Sequence, residues 1–447
     1  MIAQLGRLNQ EQLGIIPHLE APLLRDPKQL AHGTKIQGKW KEEKGKEREI
    51  PSSEVLNGCL FTFDYLGGER TVVLEKVLFR PNGIIGRGTI VVEVRCSCRG
   101  KSCKWKGENG RCDWEGLDLV MKISFPAAGR IPEDEIIRDL HNLAVDRHAW
   151  VSNHLPKLLC SFTVRFGDHS IQERLKMELG DEIYEERVIR GSIQEKIFPI
   201  VQVESEFEEV QVVYDAFQCH EWVHDIGRVL HRDISMNNVM FRRIGGEVYG
   251  VLNDFDLATR IDDLDRTPTS KHRTGTRPFM AYEQHDINWN GPPHYRHDAE
   301  SFFYLILILG CNYSRPGAEV ENAPYRSWFT EGDYHLYLAK RVLCSDGQFS
   351  PLTERLGYRE WITDIQSLLF CGFQALNEVH HKALRKKARK PVRLEGVKND
   401  ELTVEAFDHV TLGENFTADK IREVFCRFDG KVVVTRDPAR KHLNDQS

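Results

Sequence analysis

The run Leu230-His231-Arg232-Asp233-Ile234-Ser235-Met236-Asn237-Asn238 sets a carboxylate, Asp233, five residues ahead of an amide, Asn238. The apolar run Val248-Tyr249-Gly250-Val251-Leu252 then delivers a second carboxylate within Asn253-Asp254-Phe255-Asp256. That order suits a phosphoryl-transfer site. A transferring phosphoryl group needs little covalent help, so such a site works by positioning the acceptor hydroxyl and neutralising charge on a triphosphate. Asp233 would orient the hydroxyl and accept its proton, while Asn238 and Asp254 would offer hard oxygen ligands to magnesium, the implied metal. An Arg-Asp pair ahead of an Asn, taken alone, is as readily a charged surface loop. The ordered set carries the reading.

These groups need elements to hold them. Leu119-Val120-Met121-Lys122-Ile123 reads as an apolar strand with one lysine, the context of a lysine that holds the α and β phosphates. By itself, Lys122 reads more readily as a lysine snorkelling from an exposed sheet edge. Upstream, Gly83-Ile84-Ile85-Gly86-Arg87-Gly88-Thr89 lies between β-rich runs at 71–79 and 90–95. A hairpin there could bring backbone N–H groups at Gly83, Gly86 and Gly88 to phosphates without intervening Cβ atoms. Val91 stands where a third glycine would complete the pattern, which leaves a simple tight turn as the alternative.

Downstream, Gly275-Thr276-Arg277-Pro278-Phe279-Met280-Ala281-Tyr282-Glu283 matches the Gly-Thr…Ala-Pro-Glu end of a protein-kinase activation segment, with Tyr282 in place of proline. Tyr295-Arg296-His297-Asp298-Ala299-Glu300-Ser301 then opens the apolar run 302–309 as an acidic first turn opens a buried helix. That run is too short for a membrane span, which needs about 20 apolar residues. Asp298 falls where kinases carry an aspartate that braces the catalytic loop from below.

Residues 229–257, with Leu-His-Arg-Asp-Ile-Ser and Gly-Val-Leu-Asn-Asp-Phe-Asp-Leu-Ala, together with 273–283 and 297–304, resemble the fungal-type protein kinase family. The likeness extends over roughly residues 55–370, close from 229 to 304 and loose in the N-terminal half. It implies an α+β, bilobal protein-kinase fold with a β-rich small lobe and a mainly helical large lobe. It also implies ATP as phosphoryl donor, and it does not imply a substrate. Ser235 in place of the catalytic-loop lysine and Asp256 in place of glycine look like marks of that family. Serine removes an ammonium that reaches the γ-phosphate. Asp256 adds a carboxylate beside Asp254 that either assists a metal or raises its neighbour's pKa, and it restricts the backbone of a switching segment. The glutamate partner of Lys122 is expected on a helix over 132–146, whose proline and acidic first turn suit a helix start. Glu135 is the first choice and Glu133 the second, and either could simply complement the helix dipole.

The expected organisation is an arm and charged linker over 1–53, a small lobe over 54–190 with a Cys-rich insertion near 96–112, a large lobe over 191–375, and a basic extension over 376–447. Within these, 1–36 reads as an irregular or short-helical arm and 39–49 as a solvated linker. Residues 206–227 read as the long helix before the catalytic loop, 334–343 and 360–369 as further helices, 402–407 and 432–435 as strands, and 417–425 as a helix. The chain has 447 residues, 29% charged and 40% hydrophobic, with a formal net charge of -6. That composition is of a soluble type and makes no electrostatic case for nucleic acid. The first twelve residues lack a signal-peptide core, so an intracellular location, cytoplasm or nucleus, is expected with no membrane association. The basic run 381–393 suits nuclear import or an acidic partner, and equally a solvated helix face.

Cys96, Cys98, Cys103 and Cys112 are four of eleven cysteines, gathered in one hydrophilic stretch. Crowded thiolates could close a tetrahedral zinc site that staples a loop lacking a core, the default being reduced thiols in a mobile loop.

The functional expectation is an ATP-dependent protein kinase acting on an unidentified protein, with Thr276 pointing to serine or threonine hydroxyls. A pseudokinase scaffold and a small-molecule phosphotransferase are the alternatives, and Glu283 with its Gly-Thr segment disfavours the latter. Thr267, Thr269, Ser270 and Thr274, set among Arg260, Lys271 and Arg273, suggest a phosphorylatable switch that pairs with Arg232. The alternative is an ordered loop in which Asp262, Asp263 and Asp265 already neutralise Arg232.

Overall fold

Alternating apolar and polar residues in 60–79 and 90–96 bury Phe61, Phe63, Val72, Leu74, Val92 and Val94 on one face of a sheet. The computed structural model describes residues 19–20, 39–41, 47–49, 56–80, 88–98, 103–166, 171–180, 184–264, 275–289, 291–345, 347–388 and 407–443. These divide into two units, 1–135 with 157–196 and 136–156 with 197–447.

In chain order the strands of the first unit are β1 (Leu19–Glu20), β2 (Lys39–Lys41), β3 (Glu47–Glu49), β4 (Leu60–Tyr65), β5 (Gly68–Phe79), β6 (Ile90–Cys96), β7 (Leu119–Ser124), β8 (Leu158–Val164) and β9 (Ile189–Glu195). Seven of them form one antiparallel sheet in the order β1-β4-β5-β6-β7-β9-β8. β7 is buried along its whole length because it lies between β6 and β9. Two readings of the N-terminal segment are corrected here. β1 pairs with β4, so part of the irregular arm is a strand. β2 and β3 form a hairpin where a linker was expected. Its register sets Lys39 opposite Glu49 and Lys41 opposite Glu47.

Helix α1 (Glu133–Leu143) begins in the first unit and α2 (Ile171–Leu179) lies within it. In the second unit, α3 (Glu206–Asp225) starts at Ser205, whose side chain accepts from the Glu208 N–H, and has acids at Glu206, Glu208 and Glu209. It is buried without a break from Glu209 to Val223, polar residues such as Gln211, Asp215 and Gln218 included. α4 (Tyr295–Asn312) is buried at every residue. Phe217 of α3 meets Phe302 of α4 edge-on at 5.4 Å.

The strands β10 (Phe198–Pro199), β11 (Val229–Leu230), β12 (Val239–Ile244), β13 (Glu247–Leu252) and β14 (Thr259–Arg260) lie around the catalytic loop. β12 and β13 form a hairpin, and β11 pairs with β14. β13 passes so close to α3 that a Cβ at Gly250 would come 2.3 Å from the Val212 carbonyl oxygen. Glycine is required there, and its N–H donates to Asp215 Oδ2 at 3.0 Å.

Helices α5 (Asp333–Ser345), α6 (Tyr358–Ala388) and α7 (Ala418–Phe425) complete the second unit. The C-terminal segment is not an appended extension. Trp361 packs on Phe425 at 4.6 Å and on Phe428 at 5.2 Å, and Arg422 forms a buried ion pair with Glu221. Gln211 takes the Val434 N–H at 2.8 Å and donates to its carbonyl at 3.0 Å. Burying each such aromatic contributes about 1.5–3 kcal/mol. The strand expected over 432–435 is confined to Lys431–Val432, paired with Arg427–Phe428. Residues 402–406 and 389–393 lie outside the described residues. Among the described residues no helix is long and apolar enough to cross a membrane.

Candidate active site

β11 delivers the chain into the catalytic loop, and the loop bends back through a left-handed residue, Arg232, at φ +67°. Asp254 is also left-handed, at φ +64°. A non-glycine residue in that region costs on the order of 1 kcal/mol or more and persists where neighbours over-determine it. Here the neighbour is Asp298 of α4. Its carboxylate accepts from the His231 N–H at 3.0 Å, from the Arg232 N–H at 3.1 Å, and bonds His220 Nε2 at 3.1 Å. Burial alone would raise the Asp298 pKa, but His220 and the backbone donors hold it below the ordinary carboxylate value.

His231 Nε2 faces the Asn253 carbonyl at 3.0 Å, an atom that only accepts, so Nε2 carries the proton. Nδ1 then accepts from the Asp233 N–H at 3.4 Å. The ring meets Phe255 edge-on at 4.9 Å, which ties the loop to the segment carrying Asp254. Asn238 Nδ2 donates to the Asp233 carbonyl at 2.7 Å, which leaves the amide oxygen as its acceptor end. Asp256 N–H donates to Asp254 Oδ1 at 3.3 Å. Ser235 is only 1% exposed, and its hydroxyl has no hydrogen-bond partner among the described residues.

The Gly-Thr segment closes on the same loop. Thr276 donates both its N–H (2.9 Å) and its hydroxyl (2.8 Å) to Asp233 Oδ1. Gly275 before it has φ +142°, and a Cβ there would sit 2.9 Å from Met280 Cγ. Glu283 is ion-paired with Arg296 and lies 3.5 Å from His297 Nε2. Burial opposes charge on Glu283, yet His297 and Arg296 outweigh it and hold the carboxyl at about 2. Tyr282, where a proline was the pattern, gives its N–H to Glu300 at 2.8 Å and its ring to Phe373 at 4.6 Å. Arg232 donates to Thr259 Oγ1 at 2.8 Å, and Asp262 pairs with Arg228 at 3.4 Å.

Burial drives His231 and His297 down to about 4. A histidine with a lowered folded pKa is neutral in the native state while the unfolded chain protonates near 6.5, so its contribution is present above that value and is lost as pH falls from about 6.5 to about 4. Each contributes on the order of 3 kcal/mol over that window. An NMR titration of the ring resonances is expected to find both neutral at pH 6 and titrating near pH 4. Midpoints near 6.5 for both would remove the burial argument.

In the first unit Lys122 is 6% exposed, and its ammonium lies 2.8 Å from Glu133 Oε2. This corrects two readings. Lys122 does not snorkel from an edge, because β7 is an interior strand. Its carboxylate partner is Glu133 and not Glu135, which is exposed. Glu133 is the first residue of α1, and its neighbour Asp134 accepts from Ser161 Oγ at 2.6 Å, which fixes that end of the helix to β8. Gly88 is left-handed at φ +57°. Gly83, Gly86, Asp265, Thr267, Thr269, Ser270, Lys271, Arg273 and Thr274 lie outside the described residues. The first unit also brings together the sulfurs of Cys96, Cys98, Cys103 and Cys112, all within 4.8 Å of one another.

Sequence reasoning missed Lys340, which donates to the carbonyls of Arg277 (3.1 Å) and Met280 and lies 4.0 Å from the Tyr304 ring centre. Burial pulls its ammonium down to about 7. The signal was available, since Lys340 shares the buried face of α5 with Leu336 and Leu343. His220 was less visible, being one of several polar residues on α3 with Gln211, Asp215, Gln218 and Glu221.

The sequence profile described as "Fungal protein kinase" matches residues 64–310, more than half of the chain. No curated protein matches. Among solved structures, one titled "Structure of vaccinia related kinase 3" aligns with a TM-score of 0.40 and 11% identity, over 71% of this chain and 85% of that one.

Proposed function

The chain belongs to the fungal protein kinase family, and from that membership we propose that it transfers the γ-phosphate of ATP to a serine or threonine hydroxyl of a protein substrate. The observation that carries the reading is the clamp of Thr276 on Asp233 Oδ1. It joins the segment that would seat a substrate peptide to the carboxylate that would take the proton. A small-molecule phosphotransferase has no need of that segment, held as it is by Glu283–Arg296 and Lys340.

The residue roles are divided between the units. In the first, Lys122 is assigned to the α and β phosphates, with Glu133 as the partner that holds the ammonium extended. Gly83, Gly86 and Gly88 are assigned to the turn over the phosphates. In the second, Asp233 orients the acceptor hydroxyl and accepts its proton. Asn238 and Asp254 would hold magnesium, and the donor set fits, since both present hard oxygens and the Asn238 nitrogen is already committed to a carbonyl. Bound magnesium would neutralise charge on the phosphate oxygens. The protein substrate, and an intracellular place of action in cytoplasm or nucleus, belong to the same reading. The eleven cysteines, all described and all without disulfides, suit that location.

The pseudokinase reading is favoured by one observation, the buried neutral Ser235 where an ammonium would stand. Nucleotide binding is the first test. Mg-ATP is expected to raise the melting temperature of the wild-type chain, with about 2.7 kcal/mol gained at a hundred times Kd, and Asp254→Asn is expected to lose that metal-dependent gain. No shift with either magnesium or manganese would remove the basis of the catalytic reading.

A further inference from the structure

The described residues between β6 and β7, 97–98 and 103–118, have almost nothing of their own to fold around. Within 103–118, the buried residues are Cys103, Cys112 and Trp114, and the rest are exposed or half-buried. A polar segment with so small an apolar core does not stay folded on hydrophobic burial alone. Two of its three buried side chains are thiols, which lie with Cys96 and Cys98 in one cluster.

The local backbone explains how they converge. Cys96 is the last residue of β6, and Cys98, two residues on, returns to the same side. Cys112 closes a tight hairpin, in which it bridges to Lys106 and the Gly107 N–H donates to the Arg111 carbonyl at 2.9 Å. Cys103 enters that hairpin from its other end. The four sulfurs lie within 4.8 Å of one another. Tetrahedral zinc with sulfurs at about 2.3 Å sets them about 3.8 Å apart, so small side-chain movements close the site.

We propose that Cys96, Cys98, Cys103 and Cys112 bind one zinc ion as a four-thiolate site that holds this segment folded on the sheet. Zinc binding releases the four thiol protons to solvent and forms four zinc–sulfur bonds, with no change of oxidation state. Soft thiolates select zinc over the hard cations that suit Asn238 and Asp254.

A second observation points to a charged cluster. Arg70 on β5 is 2% exposed, and its guanidinium lies 3.4 Å from the Trp114 ring centre. It pairs with Asp113 at 2.6 Å, and the same nitrogen, Nη2, points to Cys112 Sγ at 3.3 Å and to Cys96 Sγ at 3.8 Å. A zinc ion with four thiolates carries two net negative charges, and a buried cation donating to two of its sulfurs is the supporting contact such a site needs. The Asp113 carboxylate alone does not explain why the nitrogen that it holds also lies against two sulfurs.

The test uses the full-length chain purified from zinc-supplemented cells without chelators. Elemental analysis is expected to find one zinc per chain, and Cys103→Ser and Cys112→Ser are each expected to reduce it to near none. Cys371→Ser, at an exposed cysteine outside the cluster, is expected to keep the zinc. Because the cluster variants could fail to fold, wild-type protein is also stripped and reloaded. Chelation is expected to open 97–118 to protease, zinc alone to close it again, and cobalt(II) to give the visible absorption of a tetrahedral thiolate complex. Folded wild-type protein with no metal and four thiols open to a thiol reagent overturns the proposal, as does iron in place of zinc. Zinc content does not depend on nucleotide binding, so failure of the kinase reading leaves this result standing.

Discussion

Asp233→Asn is expected to lower single-turnover transfer from labelled ATP by about a hundredfold to ten-thousandfold while leaving Mg-ATP binding and folding nearly unchanged. Asparagine keeps an oxygen at the position that accepts from the Thr276 N–H and hydroxyl, so both hydrogen bonds survive. What it loses is the negative charge that draws the proton from the acceptor hydroxyl. The neighbouring supports do not change, because the Asn238 bond goes to the main-chain carbonyl and the His231 bond comes from the main-chain N–H. The same assay identifies the acceptor. With Thr276 docked on Asp233, phosphoamino-acid analysis of a degenerate peptide library is expected to return phosphoserine or phosphothreonine, and dominant phosphotyrosine would sink that assignment. A wild-type chain that binds Mg-ATP yet transfers no faster than Asp233→Asn would make it a pseudokinase, with Ser235 the first residue to examine.

The catalytic loop could be read from sequence because its chemistry fixes residue types at fixed offsets. Asp233 and Asn238 share one loop, and a hairpin whose length is set by β12 and β13 separates Asn238 from Asp254. The same holds for Thr276 and Glu283. The Lys122 partner could not be settled in this way. Glu133, Asp134 and Glu135 all suit a helix first turn, and only the direction in which α1 leaves the preceding loop decides which one reaches β7. The edge reading of Lys122 failed because strand order is not local information. A lone lysine in a strand is unremarkable until β6 and β9 are known to flank it. The C-terminal segment was illegible for a similar reason. Its contacts run from Val434 to Gln211 and from Arg422 to Glu221, pairs some two hundred residues apart that no periodicity records.

Asp298→Ala is expected to cost about 3–5 kcal/mol of stability in the second unit and to remove transfer activity with it. Asp298 is buried, and one carboxylate serves the His231 N–H, the Arg232 N–H and His220 Nε2. Alanine strands those groups away from water, at about 1–3 kcal/mol for each that finds no substitute. It also removes the acceptor of the Arg232 N–H at a left-handed backbone position, so Asp233, the next residue, is expected to lose part of its orientation. The two effects separate in practice. Denaturant unfolding reads the stability, and hydrogen exchange at 229–238 reads the loop, which is expected to open before the rest of the unit does. Asp262→Ala, which removes an exposed partner of Arg228, is expected to change stability by less than about 0.5 kcal/mol and serves as the control. If Asp298→Ala kept wild-type turnover, the anchor would be structural only, and the orientation of Asp233 would have to come from its other holds, Thr276, Asn238 and His231 among them.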